Sequence, residues 1–415
     1  MTDSDVRARD VRGSHRPPNG GYGPPRQPPR TARTRRHRLW RLPLSLLLAV
    51  AVPTMITLVG AARTPGNESF EAKWADWLRS HHLAAVAKEF ETIYYEQHAP
   101  KKGGRPQALN PVVKPSPPGG SATGRTITVA HHLTPPVAIP LVVTPALPGE
   151  GQWQPVGPLV GGVPGMYVAQ FRADTTYTSQ ITSAVWIDPS LLRVSLVPGA
   201  TEPGGVWSQP PDITGAALAT TIAAFNGGFR FHDAHGGFYL DGRFAVPLQS
   251  GAASIVIYRD GSVDVGAWGT NLAMTPDVQA VLQNLVLIVD HARSASNATY
   301  GDAKLWGSTI GTKTVVARSG IGVTASGALV YVAGPALSAR SLAESLQRAG
   351  AVRAMSLDIN PEWVTFNFFQ HPATDPGRVD AAKLYPQMER PATRYLGPTE
   401  ESRDFFTVSL PAGGP

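Results

Sequence analysis

The chain has 415 residues, no cysteine, 42 glycines, 39 prolines and a formal net charge of +7. The positive excess is local: residues 1–41 hold 11 Lys/Arg against 3 Asp/Glu, and the rest of the chain holds 26 against 27. The basic balance therefore describes a tail and makes no case for a nucleic-acid partner, and the lack of cysteine excludes disulfides and thiolate metal sites. Residues 1–41, rich in Arg, Pro and Gly, read as a disordered cytoplasmic tail. From Leu42 to Ala62 there is no charged residue. As a helix that stretch would be about 30 Å long, enough to cross a bilayer core. Arg33, Arg35, Arg36, Arg38 and Arg41 precede it, which keeps the N-terminus inside and turns everything after residue 62 outward. A cleaved signal peptide ending near Gly60-Ala61-Ala62 is the alternative to this signal-anchor helix. Residues 63–98 carry Phe70, Trp74, Trp77, Leu78, Phe90, Ile93 and Tyr94 at helical spacing, which predicts an amphipathic juxtamembrane helix. Residues 99–150 read as a Pro/Gly-rich linker, and a folded domain is expected over 151–415.

Within that domain β-formers dominate. MYVAQFRA, SAVWI and LLRVSLVPG predict strands, and Ser254–Gly269 predicts a hairpin turning at Asp260-Gly261. A second strand pair spans Val315–Gly334 and turns at Ala325–Gly327. One helix is clear, Ser338 to Ala349, with Ser338 as N-cap, Leu342 and Leu346 on one face and Gly350 as its stop. It leads into a strand over Val352–Leu357. The fold class expected is α+β: a mixed β-sheet domain with a few packed helices, preceded by the two N-terminal helices.

Two constellations carry possible chemistry. An apolar strand over Thr221–Phe225 runs into Asn226-Gly227-Gly228-Phe229. The paired glycines allow positive φ or close backbone approach, and Asn226 supplies a donor and an acceptor. His232, Asp233 and His235 follow as candidate ligands for a divalent metal, with a polar loop as the alternative. No cofactor is otherwise required. The second constellation is LDINPEW, where Asp358 ends a strand and Glu362 comes four residues later, beyond Asn360 and Pro361. Two carboxylates converging through such a turn suit acid/base or nucleophile/acid work on a glycosidic bond. Equally, Asp358 and Asn360 could cap their own turn before the proline.

Taken in order, these segments resemble the phosphodiester glycosidase family. Its pattern has a strand ending in Asn-Gly-Gly-Phe, then Arg-Ser/Thr-x-x-Gly, a helix ending in Gly-Ala and a strand reaching Leu-Asp-Gly-Gly-Gly-Ser. Here the counterparts are Asn226–Phe229, Arg318-Ser319-Gly320-Ile321-Gly322, LAESLQRAGA and the strand ending at Asp358, over roughly residues 165–370. The chain departs from the pattern after the aspartate, where Ile359-Asn360-Pro361-Glu362-Trp363 stands in place of the glycines and serine. The resemblance implies a sugar joined through its anomeric carbon to a phosphodiester. It assigns phosphate to Arg318, bond cleavage to Asp358 and Glu362, and orientation of the sugar or phosphate to Asn226 and Asn360 beside Gly227 and Gly228. Trp363 would stack on a sugar face or serve as core. On this reading Asn226, Arg318, Asp358 and Glu362 line one cavity, and the partner is a sugar-phosphate or envelope glycopolymer. Two alternatives stand beside it: a glycan-binding domain that has lost hydrolysis, and Arg318 as the ion-pair partner of Asp358.

Overall fold

The computed structural model describes residues 36–63, 70–83, part of 85–97, 99–112, 131–298, 303–306, 314–372, 375, 377–397 and 402–411. The tail over 1–35 lies outside the described residues. Residues 1–55 and 56–415 form two units. A helix, Arg36–Arg63, covers the charge-free stretch and is bounded by arginines. Among the described residues no helix is long and apolar enough to cross a membrane, so the span expected over 42–62 does not follow from the structure. A second helix, Phe70–Ser80, ends where His82 takes a positive φ of 62°. Trp74 donates from Nε1 to Thr57 Oγ1 at 3.0 Å. The continuation of this helix toward residue 98 lies partly outside the described residues.

Among the described residues the rest of the second unit is built on three large sheets and a two-stranded one, Leu159–Val160 with Val163–Pro164. The largest has eight strands in the order Gln154–Pro155, Met166–Phe171, Thr182–Ile187, Leu329–Leu337, Val316–Thr324, Ala351–Ser356, Leu287–Asp290 and Arg293–Ser294. A five-stranded sheet runs Val263–Ala267, Ala253–Tyr258, Val278–Gln283, Phe238–Leu240, Arg243–Val246. The third runs Asp380–Lys383, Phe366–Gln370, Thr221–Asn226, Phe405–Ser409, Arg193–Val197. Pairing between these strands is antiparallel, and parallel contact among the described residues is confined to the bridges Ile213–Leu396 and Trp268–Leu272.

Side-chain alternation decides what each face of the large sheet meets. On Leu329–Leu337, Val330 and Val332 face the helix Ala339–Arg348, where they join Leu342, Ala343 and Leu346. Leu329, Tyr331 and Ala333 face the opposite way, into a core shared with Phe225, Phe366 and Phe406 of the third sheet. The helix begins on a capping box, with Ser338 Oγ accepting from Ser341 N at 3.0 Å and Ser341 Oγ accepting from Ser338 N at 2.9 Å. It ends at Gly350, whose φ of +102° a side chain would resist.

Residues 131–150, whose composition reads as linker, fold onto the large sheet. Ile139, Val143 and Leu147 are buried. Glu150 closes the segment through a buried pair with Arg172, Nη2 to Oε2 at 2.7 Å and Nε to Oε1 at 2.9 Å. Arg172 also donates to the carbonyls of Val143 and Pro145. Residues 99–112 dock too: Asn110 N donates to Gln170 Oε1 at 2.7 Å, and Gly103 N donates to Thr176 O at 2.7 Å. Apolar side chains between the prolines, together with one long-range ion pair, outweigh the composition. Arg172→Met, which leaves the Glu150 carboxylate buried without its counter-ion, is expected to lower stability by about 3–5 kcal/mol. A urea titration checks this.

Candidate active site

Asn226 ends the central strand of the third sheet, and its side chain turns inward. Nδ2 donates to Gly227 O at 2.8 Å and to Ser319 Oγ at 3.1 Å. Oδ1 accepts from Tyr331 Oη at 3.0 Å and from Thr365 N at 3.1 Å. The amide therefore binds protein through both its ends. Gly227 and Gly228 are not in the positive-φ region, so close approach explains both glycines. A Cβ on Gly227 would overlap the carboxyl and carbonyl of Asp404, and one on Gly228 would come within 3.0 Å of Asn284. What approaches these glycines here is another part of the chain.

Asn284 ties this turn to the Asp358 strand. Its Nδ2 donates to the carbonyls of Ser356 (2.9 Å) and Leu357 (2.8 Å), while Oδ1 accepts from Phe229 N at 3.2 Å. Ser319 makes the other tie, because Oγ accepts from Asp358 N at 3.2 Å as well as from Asn226. At Asp358 the turn-capping reading of the sequence is realised. Oδ1 accepts from the N–H groups of Ile359 (2.8 Å) and Asn360 (2.9 Å), which is the self-capped turn. Oδ2 accepts from Arg403 Nη2 in a buried ion pair. Asn360 then caps Glu362 N through Oδ1 at 3.1 Å, and its carbonyl accepts from Trp363 and Val364.

Arginines gather around Trp363. The guanidinium carbons of Arg403, Arg394 and Arg390 lie 3.8, 4.5 and 5.1 Å from its ring centroid. Arg390 Nη2 is 3.3 Å from Glu362 Oε2. All three arginines are buried, and burial pushes the pKa of Arg394 down, with Arg403 adding to the effect. Trp363 therefore carries guanidinium groups on its ring, a role different from that of a plain core tryptophan.

Arg318 is elsewhere. Its neighbour Ser319 faces Asn226, and alternation sends Arg318 to the helix side of the sheet. There Nε donates to Leu337 O at 3.0 Å, with the carbonyls of Trp306 and Thr314 at 3.5 Å from the other nitrogens. Burial lowers its pKa to about 10. The structure thus brings Asn226, Asp358 and Glu362 into one region, supplies that region with guanidinium groups from Arg390, Arg394 and Arg403, and leaves Arg318 out. Arg403, not Arg318, is the ion-pair partner of Asp358. His232, Asp233 and His235 do not assemble either. His232 Nε2 lies 3.1 Å from Asp233 Oδ2 on an exposed turn, and His235 takes φ 50°. Among the described residues no group of three His, Asp or Glu is arranged to hold a metal.

Two acids complete the region without having stood out in the sequence. Asp404 is 3% exposed, and its carboxyl has no hydrogen-bond partner beyond its own backbone N–H. Its pKa is pushed up to about 7 by burial, which outweighs the lowering by Arg403, with Glu202 and Asp358 raising it further. Glu202 is half-buried, with Oε2 unpartnered, and its pKa too is raised by burial against the pull of Arg403 and Arg230. The available signal was a charged Arg-Asp pair directly before the apolar strand Phe405–Ser409, the same logic that drew attention to Asp358.

The family model described as phosphodiester glycosidase matches residues 219–358. That span opens just before the strand leading to Asn226 and closes on Asp358, so the resemblance drawn from the sequence holds over that span. Arg390, Arg394, Arg403 and Asp404 lie outside it. No curated protein matches the chain. Among solved structures, the zebrafish N-acetylglucosamine-1-phosphodiester alpha-N-acetylglucosaminidase catalytic domain auto-inhibited by pro-peptide is 14% identical. It matches with a TM-score of 0.38, over 59% of this chain and 81% of that one. A hypothetical protein from Synechocystis is also 14% identical, with a TM-score of 0.36, over 62% of this chain and 64% of the other.

Asn226→Ala strands the Thr365 N–H and removes an acceptor of the Tyr331 hydroxyl, which keeps Thr365 O at 3.1 Å, and is expected to lower stability by about 1–3 kcal/mol. Tyr331→Phe, which removes one donor and leaves the packing, is expected to cost about 1 kcal/mol. The double variant should fall short of the sum, because the two residues share one network. Chemical denaturation of the three variants checks the set.

Proposed function

We propose that the domain is a hydrolase of the phosphodiester glycosidase type, cleaving the anomeric carbon–oxygen bond of a sugar-1-phosphodiester. One observation carries the reading: Asp358, held by two backbone N–H groups and Arg403, stands beside a tryptophan ringed by three buried arginines. An anionic diester matches these guanidinium groups, whose planar fork suits phosphate oxygens. In this reading Arg390 and Arg394 hold the phosphate. Asp358 faces the sugar carbon that becomes positive as the bond breaks, and Glu362 is oriented by Arg390. Asn360 and the Asn226-Gly227-Gly228 turn shape the pocket floor.

The reading extends to location. Twenty-one charge-free positions preceded by five arginines support an anchored protein whose domain works on envelope glycopolymers or their precursors outside the membrane. Full-length protein is then expected to stay with membranes through alkaline extraction, and a version lacking 42–62 to be released. Recovery of the full chain in the soluble fraction would refute the anchor.

A second reading, a glycan-binding domain without turnover, is favoured by one fact: both Asp358 oxygens already have protein partners. A sugar-1-phosphate methyl diester separates the two. The enzyme reading expects release of free sugar and methyl phosphate. Asp358→Asn should lower kcat by about 10²–10⁴-fold, and Arg394→Lys should raise KM about tenfold, through loss of the fork. Binding of the diester without release of sugar supports the second reading.

A further inference from the structure

Asp404 is anchored where the two motifs meet. Its carbonyl accepts from Gly227 N at 3.1 Å, and its carboxyl lies against the Cα of the same glycine. Three charged or titratable groups face it: Arg403 beside it in the chain, Glu202 from the loop after Arg193–Val197, and Asp358 from the end of Ala351–Ser356. Arg403 is already paired with Asp358. The Asp404 carboxyl is therefore buried with no hydrogen-bond partner beyond its own backbone N–H, an arrangement that costs about 1–3 kcal/mol. Asparagine or leucine would meet a purely structural need at lower cost.

We propose that Asp404 is a catalytic residue of the site: it takes the proton of the water that attacks the anomeric carbon, with the ion-paired Asp358 as its partner. This rests on the glycosidase reading above. In the step, the water oxygen forms a bond to the anomeric carbon. The bond from that carbon to the phosphate oxygen breaks, and its electron pair stays on the phosphate oxygen. The water proton passes to an Asp404 oxygen and from there to phosphate or solvent. A phosphate monoester, with a second pKa near 6, leaves without being protonated, so the chemistry asks for one base and no acid. A base is most effective when its pKa lies near the working pH, and the pKa of Asp404 is about 7. Asp358, by contrast, is held by backbone donors and Arg403. Two neighbouring carboxyls in such different surroundings divide the roles between them.

The test is the pH–rate profile of the full chain on a sugar-1-phosphate methyl diester. The active form is the carboxylate, so kcat should rise with pH through a limb near 7. Asp404→Asn keeps the shape and removes the titration. It is expected to lower kcat by about 100-fold or more with KM changed less than about threefold, to abolish the limb, and to melt at or above the wild-type temperature. Formate added to Asp404→Ala should restore part of the rate. Wild-type turnover with an unaltered kcat or a surviving limb in Asp404→Asn overturns the assignment and leaves the glycosidase reading standing. A wild-type profile flat from pH 5 to 8 overturns it even if the variant fails to fold. A wild-type protein that releases no sugar overturns both.

Discussion

Everything in the site region depends on the hydrogen bonds that meet at Asn226. One buried amide joins its own turn, the Ser319 strand, the Tyr331 strand and the Thr365 backbone, and with the Tyr331 hydroxyl on Thr365 O it ties the third sheet to the large one. A buried polar network is stable only when every member is satisfied. The surroundings meet that demand because the rings of Phe225, Phe366 and Phe406 stack at 5.1–5.6 Å and hold Tyr331 so that its hydroxyl reaches the amide. Hydrophobic packing supplies the stability, and the amide supplies the register. Ser319 then carries that register one residue further, to the N–H of Asp358.

The second constraint is charge. Arg390, Arg394 and Arg403 sit out of water around one indole, while Asp358, Glu362, Asp404 and Glu202 surround them. Removing ions from water costs several kcal/mol each, and pairing recovers only part of it. The fold limits this cost by pairing Asp358 with Arg403 and Glu362 with Arg390, and by letting burial push the remaining two acids toward their neutral forms. Arg394 is held in the same cluster, with Tyr395 and Glu362 acting on its guanidinium. A region built for stability alone would be apolar.

Much of this was legible in the sequence, and the parts that were not have physical causes. Alternation of β-formers gave the strands, and the Ser338 and Gly350 signals bounded the helix. Asn226 and Asp358 were visible because polar residues at the ends of apolar strands need a reason to be there. The direction of Arg318 could have been read as well. It neighbours Ser319, and adjacent residues of a strand point to opposite faces, so both could not serve one pocket. Other features left no local trace. Arg403 reaches Asp358 across 45 residues, and Arg172 reaches Glu150 across 22. Neither separation has a period that a pattern could detect. Residues 131–150 were hidden by proline content, which reports backbone stiffness and says little about whether the side chains between the prolines are buried.

The stretch after Asp358 shows how the chain departs from a glycine-rich pattern and still forms a tight turn. Glycines after the aspartate would present bare backbone N–H groups and a mobile turn. Here Asp358 captures the first two N–H groups, Pro361 has none to offer, and Asn360 captures that of Glu362. The backbone donors that a glycine turn would offer to a ligand are therefore largely spent within the turn. In exchange the rigid turn carries Glu362 to Arg390, and Trp363 to Arg390, Arg394 and Arg403. The turn thus joins the arginines that a later part of the chain supplies. Arg390, Arg394 and Arg403 lie beyond position 358, where the family match stops, so the contacts of Trp363 are made by residues that the matched span does not contain.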